Sequence, residues 1–289
     1  MKNLHTILYA AVLSLVFTAC SKNEEHAIAN NITLHFNNTF KDKTIVLGDA
    51  RSATASVNTS AENQEHRFSE LKYVISNIRL IKDDGMEFPY YMNNLDLGAA
   101  VINQADVTSL DYVLSNIPAG NYKQIKFGLG VKAELNTLDQ VRFPKFYAAA
   151  GANNTEMMWE WGSGYRFTKV EGFYDTDLKT LSIHTGSTVQ GKKENLIQGV
   201  DAYRDITLDF PASVSIGSKS ARMTIIADFD KLLTGKTHTI RLSTGLGDSD
   251  NATPNIHNAV QMLKFVDNLG GNGKSDFSGM FSIGSIENY

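Results

Sequence analysis

Cysteine is almost absent: the 289 residues contain one, Cys20. A single cysteine forms no internal disulfide and builds neither a thiolate zinc site nor an iron–sulfur cluster. Cys20 falls in the export segment described below, so the folded part has no thiol nucleophile either. Packing must hold the fold together. An excess of one charge is also missing. The chain has 27 basic and 31 acidic residues, a net −4, which leaves no electrostatic footprint for nucleic acid. Three enzyme signatures are missing too: the G-x-S-x-G elbow, the H-E-x-x-H helix and the phosphate-cradling G-x-x-x-x-G-K-[ST] loop. Asp248-Ser249-Asp250-Asn251 opens as a calcium loop does. Ala252 and Thr253 then stand where an oxygen ligand and the turn glycine belong, so an acidic solvated loop is the better reading. Glu160 and Glu171 have no spacing that makes them a glycosidase pair, and an exposed strand face accounts for both.

Apolar material is not lacking. Hydrophobic residues make up 42% and aromatics 10%, enough for a core and against global disorder. At the start, Lys2, the apolar run Ile7 to Phe17 and the small residues Thr18-Ala19 before Cys20 form a secretory signal too short to span a bilayer. The end of that run resembles the lipobox of bacterial lipoproteins, with Phe17 where leucine is usual. The resemblance makes residues 1–19 a lipoprotein signal peptide and Cys20 the acylated first residue, held to a membrane by acyl chains at about 0.8 kcal/mol per buried CH₂. Residues 20–30 are then a polar tether carrying Glu24 and Glu25. The implied location is the outer membrane of a Gram-negative bacterium, on its periplasmic or cell-surface side.

From residue 31 to 289 the pattern is that of one β domain, within the range of roughly 200–250 residues common for sandwiches and barrels. Ile32 to Phe36 alternates apolar and polar residues, which turns His35 away from the face of Leu34. Phe68 to Ile81 reads as a long strand, followed by an Asp84-Gly85 turn and a return strand from Glu87 to Met92. Pro118 to Asn121 makes another turn, and Tyr122, Gln124 and Lys126 then alternate with Lys123, Ile125, Phe127 and Leu129. Further strands are predicted at Met157–Trp161, Tyr165–Glu171, Thr180–His184, Asp205–Phe210, Arg222–Phe229 and Gly279–Ile286. Arg51 to His66 reads as a polar loop. Strands at this spacing predict an antiparallel β-sandwich, immunoglobulin-like in general architecture. One short C-terminal helix is predicted, with Thr253 as its cap, Pro254 in the first turn, a stripe of Ile256, Val260 and Leu263, and Gly270-Gly271 past its end.

The densest unusual segment runs from Met157 to Gly172, MMWEWGSGYRFTKVEG, and holds both tryptophans. On a strand Met157, Trp159 and Trp161 share one face, either as core filler or as a soft aromatic wall. This run resembles the signature of the MbnP-like proteins. The resemblance extends, in order, to FSELKYVISNIRLIKDDG at Phe68–Gly85, IPAGNYKQIKFGLGV at Ile117–Val131 and SIHTG at Ser182–Gly186. It implies an exported β-sandwich that binds copper as Cu(I), in which one tryptophan is oxidised to kynurenine by a diheme, peroxidase-like partner of the MbnH type. An intact indole nitrogen only donates a hydrogen bond, so neither Trp159 nor Trp161 ligates a metal as translated. The opened ring offers an aryl amine and a ketone, which with imidazole nitrogens suit copper in a protein without thiolates.

The metal candidates are therefore His184, His35, His257, Trp159 and Trp161. His184 lies within the matching SIHTG. His35 lies where the family carries histidine, although the following Asn37-Asn38 departs from its pattern. His257 falls in the first turn of the predicted helix. His66 and His238, in polar surroundings, read as solvated. No turnover is implied, so the role is acquisition, storage or delivery of copper. The competing reading, from another class, is a surface lipoprotein that binds a carbohydrate or protein partner through exposed aromatics and takes no metal.

Overall fold

Alternating burial organises the chain from its first strand. The computed structural model describes residues 30–152, 155–159, 164–190, 197–217, 219–243, 251–252, 255–256, 259–271 and 279–289. The expected signal peptide, Cys20 and all but the last residue of the tether lie outside these. In chain order the principal elements are β1 (Asn30–Phe40), β2 (Glu65–Lys82), β3 (Asp111–Ile117), β4 (Gly120–Leu129), β5 (Thr168–Tyr174), β6 (Lys179–Thr185), β7 (Arg204–Ile216), β8 (Ala221–Asp228), helix α1 (Ala259–Gly270) and β9 (Phe281–Asn288).

These strands form two packed sheets. The first has the order β9-β8-β1, with β3 on the far edge of β1. The second has the order β7-β4-β2-β5-β6 and ends on the two-residue strand Asn255–Ile256. The predicted sandwich is therefore the observed fold. Most neighbours are antiparallel; β1 and β8 run parallel, as do β6 and Asn255–Ile256. Aromatic residues from both sheets meet in the middle. Phe36 of the first sheet packs edge-on against Tyr73 and Phe127 of the second, with ring centres 6.0 and 6.4 Å apart. Phe281 of β9 closes on Phe127 at 5.0 Å. Offset edge-to-face pairs of this kind add to the burial free energy of each ring. The Tyr73 hydroxyl donates across the gap to Asn38 Oδ1 at 2.8 Å, which satisfies a phenol that would otherwise be costly to bury.

Several local expectations are corrected. Tyr122 is fully buried and Lys123 exposed, while Ile125 and Phe127 are buried, so β4 changes face midway. Register shifts beside it, between Ile81 and Lys82 and between Asp209 and Val214, insert the extra residues that allow this. Met157–Trp159 is no regular strand, and only Met158 bridges to Tyr165. The helix starts later than predicted, because Ile256 is taken into the sheet edge opposite Ile183. Thr253 and Pro254 lie outside the described residues. The buried stripe of α1 is Met262, Phe265, Val266 and Leu269, at helical spacing, and the helix stops before Gly271 at φ 78°.

His66 also corrects an expectation. It shares the Phe68 face of β2 and is fully buried. Burial lowers its pKa from 6.5 to about 4, with Asp175 opposing and Arg241 adding to the shift. The unfolded chain takes up this proton below its ordinary pKa and the folded chain does not, so stability is lost as pH falls from about 6.5 towards 4. In urea unfolding at about pH 7 and about pH 4, His66→Leu should lose roughly 2–3 kcal/mol less stability than the parent. Equal losses would show that His66 does not titrate on unfolding.

Candidate functional site

On β5 and β6 the core takes Val170, Leu181 and Ile183. The period of two then sends Lys169, Glu171, Ser182 and His184 to the outer face of the second sheet. The register sets Lys169 opposite His184 and Glu171 opposite Ser182. On the other side, β2 sets Lys72 opposite Lys169 and Glu70 opposite Glu171. Two lysines directly across a ladder repel one another. The diagonal carboxylates offset this: Glu70 pairs with Lys72 and, at 2.8 Å, with Lys169, and Glu156 also pairs with Lys169.

This charged face is covered. The segment before β5 folds back over it, held by backbone bonds from Met157 N to Ala150 O, Trp159 N to Gly164 O and Arg166 N to Met157 O at 2.7, 3.0 and 2.9 Å. Under the cover Lys169 is 2% exposed and His184 5%. Burial disfavours the Lys169 charge, but its bonds to Glu156 and Glu70 outweigh that and raise its pKa. Burial likewise opposes ionisation of Glu70, and Lys169 and Lys72 overcome it and lower its pKa. For His184 burial wins. Its pKa is lowered, against the pull of Glu171 and with help from the Arg166 charge.

Trp159 lies in the same cover, 5% exposed. Its ring centre is 6.3 Å from that of His184, at 55° between planes, and the Arg166 guanidinium sits 5.1 Å over the indole in cation–π contact. Gly186, two residues after His184, lets the indole approach. A Cβ there would stand 2.7 Å from Trp159 Nε1 and 2.9 Å from the Tyr165 carbonyl oxygen. A cavity of about 560 Å³ opens beside these groups, lined by Tyr147, Gly151, Glu156, Met158, Arg166, Lys169, Glu171 and His184.

The structure thus brings His184 and Trp159 together. It does not bring His35 to them. His35 lies on the outer face of the first sheet, where Nδ1 is 2.7 Å from Asp111 Oδ1 and Arg222 pairs with the same carboxylate, and the aromatic core lies between it and His184. Trp161 and His257 lie outside the described residues, as do Glu160 and Asp248–Asp250. Ile256, the residue before His257, pairs with Ile183, the residue before His184. Glu171 is not a bystander on an exposed face, since it meets both His184 and Lys169. His238 is half-buried at a turn, its backbone bonded to Asn268 and Gly235. Trp159, being buried, is no exposed platform for a partner.

Sequence reasoning passed over Met158, Lys169, Arg166, Glu156 and Glu70. The pairing of K-x-E on β5 with S-x-H on β6 is the signal that could have found part of this cluster. As a donor set, the His184 imidazole and the Met158 thioether suit copper. Among the described residues no group of three or more His, Cys, Asp or Glu side chains could hold a metal ion, so these residues fit copper as part of a site.

The family model named MbnP matches residues 29–259. Among solved structures, MbnP from Methylosinus trichosporium aligns with a TM-score of 0.51 at 12% identity, covering 90% of this chain and 99% of that one; at such identity the likeness speaks for the fold. The sequence has no match among curated proteins.

Two variants test this geometry. Lys169→Met leaves Glu70, Glu156 and Glu171 facing one another without their shared cation and should cost on the order of 3 kcal/mol in chemical unfolding; a loss below about 1 kcal/mol would mean that the ammonium is solvated. With Trp161→Phe as background, Gly186→Ala should push the indole outward and shift its fluorescence to longer wavelength, and an unchanged spectrum would contradict the close approach.

Proposed function

The chain belongs to the MbnP family, a membership that suggests a copper-related role, and from that premise we propose that it binds one copper ion, as Cu(I), beside His184 and Trp159. The observation that carries the reading is the 6.3 Å approach of these two rings within the matched region. His184 supplies an imidazole nitrogen from a site that keeps it neutral, which is the form a metal requires. His257 is the second imidazole in this proposal, supported by the pairing of Ile256 with Ile183. His35 is not part of it. The Met158 thioether, on the cavity wall, is a soft group of the kind Cu(I) favours.

Trp159 is the tryptophan converted to kynurenine. The conversion breaks the indole C2–C3 bond, adds two oxygen atoms and releases the formyl carbon as formate after hydrolysis. This four-electron oxidation consumes one dioxygen, or two hydrogen peroxide molecules with release of two waters, and a diheme partner of the MbnH type is proposed to activate that oxidant. The opened ring would turn an aryl amine towards the histidine that now faces the indole. Copper is cargo for acquisition, storage or delivery, with no turnover by the chain itself. Acylation of Cys20 would hold the domain at the outer membrane.

The test is mass spectrometry and metal analysis of protein from its native host. Kynurenine at position 159 and copper retained by the parent, with copper lost in His184→Ala, is the expected result. An unmodified Trp159 together with no copper in the parent would reject the reading. Protein made in a host without the partner should carry intact tryptophan and retain at least ten-fold less copper.

A further inference from the structure

The charged face holds one contact that the copper reading leaves unused. Glu171 Oε1 stands 2.8 Å from His184 Nε2 and 3.6 Å from Lys169 Nζ, and Ser182 Oγ stands 3.2 Å from the same imidazole nitrogen. An ionised carboxylate accepts hydrogen bonds and donates none. In a neutral imidazole facing it, the single proton is therefore drawn to Nε2, which makes Nδ1 the nitrogen with the lone pair. The cross-strand register supports this aim, because Glu171 and His184 are diagonal neighbours on one face of a regular two-strand ladder and not partners met through a loop.

We propose that Glu171 is a positioning residue that locks His184 in its Nε2–H tautomer and so assigns Nδ1 as the nitrogen that meets a metal. The second half of this assignment rests on the copper reading, while the first stands on the apo protein alone. Lys169 has a part in it. Its ammonium is drawn to the same Oε1, which helps to hold the carboxylate facing the imidazole. Glu70 and Glu156 hold that ammonium in place from the other side. The hydrogen bond thus orients the ligand through an outer partner, as carboxylates commonly do for metal-bound histidines.

The experiment uses ¹⁵N-labelled, metal-free full-length domain, with the His184 resonances assigned by their loss in His184→Gln. Imidazole nitrogen shifts report directly which nitrogen is protonated, a signature that a purely structural role for Glu171 would not move. The parent should show Nε2–H. Glu171→Gln should keep it, because the amide oxygen still accepts, and Glu171→Leu should show mixed or inverted tautomers. In parallel, protein purified from the native host, parent and variants alike, is stripped of metal and titrated with Cu(I) alone against a chromophoric chelator. Glu171→Leu should weaken binding by about 10–100-fold, with Glu171→Gln recovering most of the loss. Nδ1–H in the parent overturns the proposal whether or not copper binds, as does an unchanged tautomer in Glu171→Leu. If the parent shows Nε2–H and Glu171→Leu loses it while no copper is bound, the copper reading fails and the tautomer lock stands. Where Glu171→Leu does not fold, the parent spectrum and Glu171→Gln decide the matter.

Discussion

A lysine ammonium at 2% exposure does not persist beside a second lysine unless carboxylates surround it, and the arrangement of the second sheet follows from meeting that condition. Removing a charge from water costs several kcal/mol, and it is recovered only with good geometry and complete pairing. Glu70, Glu156 and Glu171 meet Lys169 from three directions. Glu70 comes from the neighbouring strand β2 in fixed register, Glu171 from Lys169's own strand β5, and Glu156 from the folded-back cover. The cover can therefore close over the outer face without stranding a charge, and closing is what buries His184 and brings Trp159 against it. Lys72 Nζ donates to the Thr155 carbonyl at 3.0 Å and Arg166 Nη1 to that of Glu156 at 2.6 Å, so one cation from the sheet and one from the cover itself hold the backbone of the block.

Much of the fold was legible because alternation is a strong signal wherever one face of a strand meets the core. Ile32, Leu34 and Phe36 announce β1, and Phe68 to Ile81 announces β2, whose far half is buried throughout. The sheet order was not legible. The parallel pairing of β1 with β8 joins residues nearly two hundred positions apart, and no local pattern encodes such a partner. β3 carries little sequence signal, because DYVLSNI alternates weakly and much of it faces solvent. The reversal of face within β4 arises from register shifts in its neighbours, which leave no mark on its own residues. The polar surroundings of His66 mislead, whereas counting back by two from Phe68 puts it in the interior.

The site divides in the same way. His184 and Trp159 were legible as candidates, from a motif and a resemblance, and so was the orientation of His35 away from Leu34. That orientation, carried through to three dimensions, is what separates His35 from the others: an outward residue on one sheet of a sandwich cannot meet an outward residue on the other across a packed aromatic core. The charged partners were illegible because Lys, Glu and Arg on strands are ordinarily solvated. Only the cover, made by a segment expected to be a strand, changes their environment. A resemblance thus pointed to the ring pair, and the physical setting of that pair came from register and burial.

The account stands on a copper ion seated between His184 and the ring at position 159. Anomalous diffraction at the copper edge, from crystals of protein purified from its native host, tests this most directly. A single peak within bonding distance of a His184 ring nitrogen, with density for an opened ring at position 159, is the predicted result. A peak at His35 on the opposite face, or copper-loaded crystals with none near His184, would contradict it.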